Sequence, residues 1–402
     1  MSRFQRRREP GEQQRTTALE LFYDLVFVFA VTQISHLLLN ELTWRGLGKA
    51  AMLLLVVWWA WNYTTWVMNE LDPESAAVRA LLIAVTLVSL LMAVAVPEAF
   101  GSRALLFACS YAVLQVGRNL FLVLVSDRGT IERERAERVL IWLAAAGVLW
   151  IAGGAATGPA RVGLWLAALA VDYAGPLLTY RVPGLPTVDI SAWEVETSHF
   201  SERFQLFVII ALGESIVVTG ATTAHLSLSL SRVAAFALAF LVTAGMWWLY
   251  FSYVARVAER RLELAEDRTK MARDAYTYLH VVMIGGVIVA AVGDRIVLAN
   301  PTAQLSSGEI AAVVAGPAVY LIGLSLYRLR MAGSLPPKRL LGAAGCAVAG
   351  VVGAVAPALV VSALVVVALA GVIVAEEEAA RRRRARGEPS PLERLDTAAD
   401  SR

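Results

Sequence analysis

Whatever chemistry this chain performs rests on ionisable residues set in stretches that otherwise suit lipid. In "LELFYDLVFVFAVTQISHLL", Leu19–Leu38, Glu20 and Asp24 lie one helical turn apart. Positions 20, 24, 27, 31 and 35 trace one face, so both carboxylates share a stripe with Ser35. Two carboxylates turned inward suit the binding of a cation or a proton, and pairing of Asp24 with an arginine elsewhere is the structural alternative. Glu20 has a local use as well, because Thr17-Ala18-Leu19-Glu20 fits a capping box. In "IIALGESIVVTG", Glu214 and Ser215 fall near the middle of their span, with Gly213 removing a side chain beside the carboxylate and Thr219 one turn on. A charge there costs on the order of 3 kcal/mol unless it is answered. Glu20, Asp24, Glu214, Ser215 and His280 are therefore the expected ion or substrate pathway. Arg118 in "LQVGRNLFLV" and Asp172 in "LAVDYAGPLL" are each costly alone and are expected to form an intramembrane ion pair. His199, Glu202 and Arg203 crowd the cytoplasmic end of the span that holds Glu214, and His36 is an interfacial histidine.

Other chemistries leave no trace in the pattern. No HExxH, CxxC or other metal-ligand spacing occurs, and no GxSxG. The glycines of "GGVIVAAVGD" lie in an apolar run, away from any strand-to-helix phosphate loop. The two cysteines, Cys109 and Cys346, each sit inside an apolar run and read as small buried hydrophobes. No cofactor and no metal is expected, and an enzymatic activity is disfavoured without being excluded.

The elements that must position these residues are membrane helices. Of 402 residues, 58% are hydrophobic and 17% charged, with mean hydropathy +0.61; soluble domains carry about 25% charged residues. With about 20 apolar residues needed per crossing, twelve spans are expected, near 20–40, 48–68, 77–96, 104–125, 138–156, 162–180, 202–221, 233–255, 275–298, 309–327, 340–355 and 357–375. The expected class is an all-α polytopic membrane protein of about 12 transmembrane helices. Alternate loops take the basic residues. With the N-terminus in the cytoplasm, only Arg45, Lys49, Arg103, Arg161, Arg232 and Arg295 fall outside and Arg118 falls within a span, so 29 of the 36 Lys and Arg lie inside. This predicts a multi-pass membrane protein with both termini cytoplasmic. It also assigns the basic loops to the membrane surface instead of to nucleic acid. Membrane lipids and a small ion or solute are the expected partners, and the oligomeric state is open.

A tandem arrangement is expected. "ELFYDLVFVFAVTQIS" and "ERFQLFVIIALGESIV" agree at four of sixteen positions, and the next span of each half carries a tryptophan pair, Trp58-Trp59 and Trp247-Trp248. The expected layout is a cytoplasmic arm at 1–19, a six-helix half at 20–180, a connecting loop at 181–201, a second half at 202–375 and a basic tail at 376–402. The tail is read as disordered beyond Gly387, with its arginines within reach of anionic lipid.

"ELFYDLVFVFAVTQISHLL", "WWAWNYTTWVMN", "VGRNL", "VDYAGPLL" and "SHFSERFQLFVIIALGESIVVTGA" together resemble the bacterial low temperature requirement protein A family, over about residues 18–330. The resemblance implies a polytopic inner-membrane protein whose family name records growth in the cold, hence a stress-response association, without a settled biochemical activity. "FYDLVFVFAV" is also similar to the opening motif of lysosomal-type two-times-six-helix potassium channels, with Tyr23 where those have serine. The second half departs from that pattern, with Leu206 aligned to Asp24. The expected function is a transporter or channel for a cation or a proton-coupled small solute. A structural or stress-related membrane protein, and a membrane-embedded enzyme acting on a lipid-linked substrate, are the alternatives.

Overall fold

The computed structural model describes residues 15–186, 195–224, 227 and 229–400. Most of the expected N-terminal arm and residues 187–194 of the connecting loop lie outside the described residues. The helices are α1 (Ala18–Asn40), α2 (Trp44–Glu70), α3 (Ala76–Ala95), α4 (Ala104–Val125), α5 (Ile131–Ala155), α6 (Gly158–Leu177), α7 (Thr197–Ala224), α8 (Leu230–Phe251), α9 (Val254–Glu263), α10 (Arg268–Met271), α11 (His280–Ala299), α12 (Ser307–Ala332), α13 (Pro337–Val352), α14 (Ala358–Ala385) and α15 (Pro391–Asp400). No strand occurs among the described residues, only an isolated bridge between Gln304 and Pro357.

Ten elements among the described residues are long and apolar enough to cross a membrane, against the twelve expected. The two that fall short are α13 and α6. The sixteen residues of α13 reach about 24 Å, less than the ~30 Å hydrocarbon core. The twenty of α6 include Arg161 and Asp172 and begin Gly-Pro. Between α10 and α11 the backbone opens into a seven-residue π-helical stretch, Ala272–Tyr278, a departure from regular winding often found at functional positions.

The chain forms two compact units. One takes the chain up to Ile34 and Ala51–Arg203, and the other takes Ser35–Ala50 and the chain from Phe204 onward. In the first, α3 packs on α4, α4 on α5 and α5 on α6; in the second, α11 packs on α12, α12 on α13, and α14 on both α13 and α8. The most enclosed candidate spans are α2, 83% buried over its apolar window, and the α10–α11 segment, 78%. On α14, Val360, Val367 and Val374 stand exposed at seven-residue intervals, an outward stripe suited to acyl chains.

The tryptophan pairs that suggested a tandem repeat occupy unlike surroundings. Trp58 and Trp59 are buried in the first unit, with Trp59 stacked on Tyr173 at 3.9 Å between ring centroids. Trp247 and Trp248 are each 45% exposed, as in an interfacial aromatic belt. The tail also departs from expectation. Residues past Gly387 form α15, capped by Ser390, whose backbone N–H donates to Glu393 Oε2 at 2.6 Å while Glu393 N–H donates back to Ser390 Oγ at 3.2 Å. Arg260 Nε then anchors Asp396 at 2.7 Å. Polar composition suggested disorder there, but the Ser-Pro-Leu-Glu signature and this tether outweigh it.

Candidate functional site

In the first unit, the two acids of α1 meet two bases of α7. Arg203 Nη1 and Nη2 donate to Asp24 Oδ2 and Oδ1 at 2.9 and 2.8 Å, and Trp61 Nε1 adds a third bond to Oδ1 at 2.8 Å. Asp24 and Arg203 have no exposed surface. One turn away, His199 Nε2 lies 2.9 Å from Glu20 Oε1. The Asn69 amide bonds both N–H and C=O of Glu196, which fixes its orientation. Its nitrogen then faces His199 Nδ1 at 3.3 Å. Nδ1 must accept, so Nε2 carries the proton and donates to Glu20. Spacing explains the match: Glu20/Asp24 and His199/Arg203 are both i, i+4 pairs, each on one helix face. Glu20 also closes its capping box, accepting from Thr17 N–H at 2.9 Å. Glu202 accepts from Thr16 N–H at 2.7 Å and Thr16 Oγ1 at 3.0 Å. The expected cytoplasmic cluster thus joins Glu20 and Asp24, two of the five expected pathway residues, in one clasp, while Glu214, Ser215 and His280 lie in the second unit.

The expected ion pair of Arg118 with Asp172 is replaced by a relay. Arg118 Nη2 donates to Gln115 Oε1, Gln115 Nε2 donates to Tyr111 Oη at 3.0 Å, and Tyr111 O–H donates to Asp172 Oδ2 at 2.8 Å. Trp150 Nε1 donates to the same oxygen at 2.9 Å. Arg118 Nη1 donates to Thr64 Oγ1 at 2.7 Å, which also accepts from Tyr23 O–H at 2.8 Å. Along Arg118–Gln115–Tyr111–Asp172 each donor points from the guanidinium toward the carboxylate, so those dipoles reinforce one another. Gln115 and Tyr111, one turn apart on α4, fill the gap that keeps the charges from touching. Tyr111→Phe leaves Asp172 and Gln115 each short of a partner and is expected to lower stability by about 1–3 kcal/mol. Denaturant titration of purified protein reads the loss, and an unchanged midpoint would remove the relay from the account.

In the second unit, His280 is fully buried in an aromatic box. Its ring stacks on Tyr276 at 5.0 Å and 10°, and meets Tyr327 edge-on at 4.7 Å and Phe204 at 5.2 Å. Nδ1 donates to the carbonyl of Ala275, in the π-helical stretch, at 3.2 Å, so Nε2 accepts from Tyr250 O–H at 2.9 Å.

Glu214, Ser215 and Thr219 are buried on α7. A Cβ on Gly213 would meet nothing within 4 Å, so this glycine is not there for close packing. On α11, Asp294 is 6% exposed and its Oδ2 has no hydrogen-bond partner among the described residues. Arg295 lies within electrostatic reach of Glu214 and donates from Nη2 to His36 Nε2 at 2.7 Å. Arg295 also lines a cavity of about 450 Å³ to which Thr222, Asn300 and Glu309 contribute polar groups. Asp294 was not singled out from sequence, although an acid-base dipeptide in an apolar run, "VGDRIV", marks it.

The family described as bacterial low temperature requirement A protein (LtrA) matches residues 15–374, which hold the clasp, the relay and the α7/α11 acids. The chain belongs to this family. It is 36% identical over 341 residues to an uncharacterized protein, RA0937, of Rhizobium meliloti (strain 1021), covering 84% of this chain and 82% of that one. No solved structure matches it. This LtrA protein is therefore a multi-pass membrane protein by its apolar helices and its family.

Proposed function

We propose that the protein is a transporter or channel for a small cation or a proton-coupled solute, with its pathway through the second unit. The observation that carries this is Asp294, a carboxylate buried in a membrane helix with an oxygen that no donor answers among the described residues. Such an oxygen costs several kcal/mol in hydrocarbon unless a proton, a cation or water satisfies it. The Oγ of buried Ser215 likewise has no partner among the described residues. Arg295, next to Asp294 in the chain, lines a cavity at the ends of α7 and α11, and Glu214 supplies a second acid within electrostatic reach of Arg295. His280, in the same unit, is held by its hydrogen bonds to Tyr250 and Ala275 as a fixed support, whereas Glu20 and Asp24 are already bound within the first unit. The twelve-span tandem topology with cytoplasmic termini belongs to the same proposal, with α6 and α13 as the additional crossings and the one-sided distribution of Lys and Arg as its support.

Reconstituted into proteoliposomes, Asp294→Asn and Glu214→Gln are each expected to abolish cation- or proton-dependent flux while the protein stays folded. Wild-type flux in both variants would overturn the proposal. A second reading, a membrane scaffold without transport, draws on the Glu20/Asp24–His199/Arg203 clasp, in which costly charges already have protein partners. It predicts no flux for the wild type under any ion gradient.

A further inference from the structure

The ends of α12 and α14, together with α9, α13 and α15, enclose a cavity of about 350 Å³ in the second unit. Five arginines line it, Arg261, Arg328, Arg339, Arg383 and Arg394, and no aspartate or glutamate does. Arg261, Arg328, Arg383 and Arg394 have no carboxylate within 4 Å among the described residues. Arg261 donates from Nη1 to the Met331 carbonyl at 3.0 Å, and Arg394 from Nε to that of Pro389 at 3.2 Å. Arg339 is 1% exposed, and Glu376 accepts from its Nε and Nη2 at 2.8 and 3.1 Å. Its Nη1 is buried without an acceptor among the described residues. A buried guanidinium N–H with no acceptor is costly, and five guanidinium groups gathered beside the Arg339–Glu376 pair still repel one another. Both are relieved by one anion. Guanidinium groups fit phosphate oxygens in paired, directed bonds. Met331, Val254 and Leu395 give the same cavity an apolar wall continuous with the helix ends.

We infer that this cavity binds a phosphate group, for which an anionic phospholipid headgroup and free phosphate are the two sources. It is independent of the transport proposal, and α15 and the end of α14 lie beyond the family match. The test titrates the full-length protein in detergent with dioctanoyl-phosphatidylglycerol, dioctanoyl-phosphatidylcholine and inorganic phosphate, reading the melting temperature. Phosphatidylglycerol is expected to raise it and phosphatidylcholine is not. Arg328→Gln/Arg394→Gln is expected to weaken phosphatidylglycerol at least ~10-fold, two charge-assisted bonds being lost. Arg381→Gln/Arg386→Gln removes equal charge from residues outside the cavity and should leave the affinity within about twofold if distant surface charge counts for little. Should the first double variant melt early without ligand, the single Arg394→Gln, an exposed position, replaces it. Stabilisation by inorganic phosphate alone, lost in the cavity variant, keeps the site and makes free phosphate its source. Equal weakening in both double variants, or none in either, overturns the inference.

Discussion

Arg203→Gln is expected to be among the most destabilising single changes in this protein, at about 3–5 kcal/mol. It strands Asp24, which has no exposed surface, with Trp61 Nε1 as its one remaining strong donor. The energy at stake is chiefly the penalty for an uncompensated buried charge, and less the worth of the pair itself. A double variant separates the two. Asp24→Leu/Arg203→Met removes both charges and should recover most of the loss, short of the roughly 1–3 kcal/mol for leaving the Trp61 N–H without its acceptor. Denaturant titration followed by the fluorescence of the 11 tryptophans reads both variants. Wild-type stability in Arg203→Gln would show that water or another group reaches Asp24, and the clasp would lose its structural role.

Gly316→Val is expected to cost about 3 kcal/mol or more, the upper end for overpacking. A Cβ at Gly316 would stand 2.3 Å from the Ala290 backbone nitrogen and 2.6 Å from its Cα. A Cβ added at Gly286 or Gly293 on α11 would likewise stand 2.6 Å from the Tyr320 nitrogen or 2.7 Å from the Val313 Cα on α12. The two helices thus touch backbone to backbone, and no side-chain rotation relieves an added methyl. Membrane helices rely on such small-residue contacts, because lipid offers little hydrophobic drive for helix association. Forcing them apart also strains the Tyr320 O–H bond to the Met246 carbonyl at 2.7 Å. Gly213→Ala and Gly371→Ala are the internal controls. Neither Cβ would meet anything within 4 Å, so each should be neutral or stabilising by up to about 1 kcal/mol through helix propensity. Equal midpoints for Gly316→Val and Gly213→Ala would contradict the close-packed interface.

The sequence by itself determined the helical membrane class, most of the spans and several of the charged residues that are buried in them. Apolar runs of about 20 residues have few other uses, and a buried charge is conspicuous wherever it falls. Glu20, Asp24, His199 and Arg203 were all visible, and even their shared four-residue spacing was on the page. That the two pairs face each other was not, because periodicity assigns a face to each helix and says nothing about which helix lies opposite. The same blindness made Arg118 and Asp172 look like an ion pair, when Tyr111 and Gln115 hold them apart and connect them. The tail shows the reverse error, with composition outweighing a legible Ser390–Glu393 cap. Tertiary structure alone decided which acids are answered and which, like Asp294, retain an oxygen with no donor among the described residues. The physical reason is that the penalty of a buried charge is a property of the residue, whereas its relief depends on distances of about 3 Å between groups far apart along the chain.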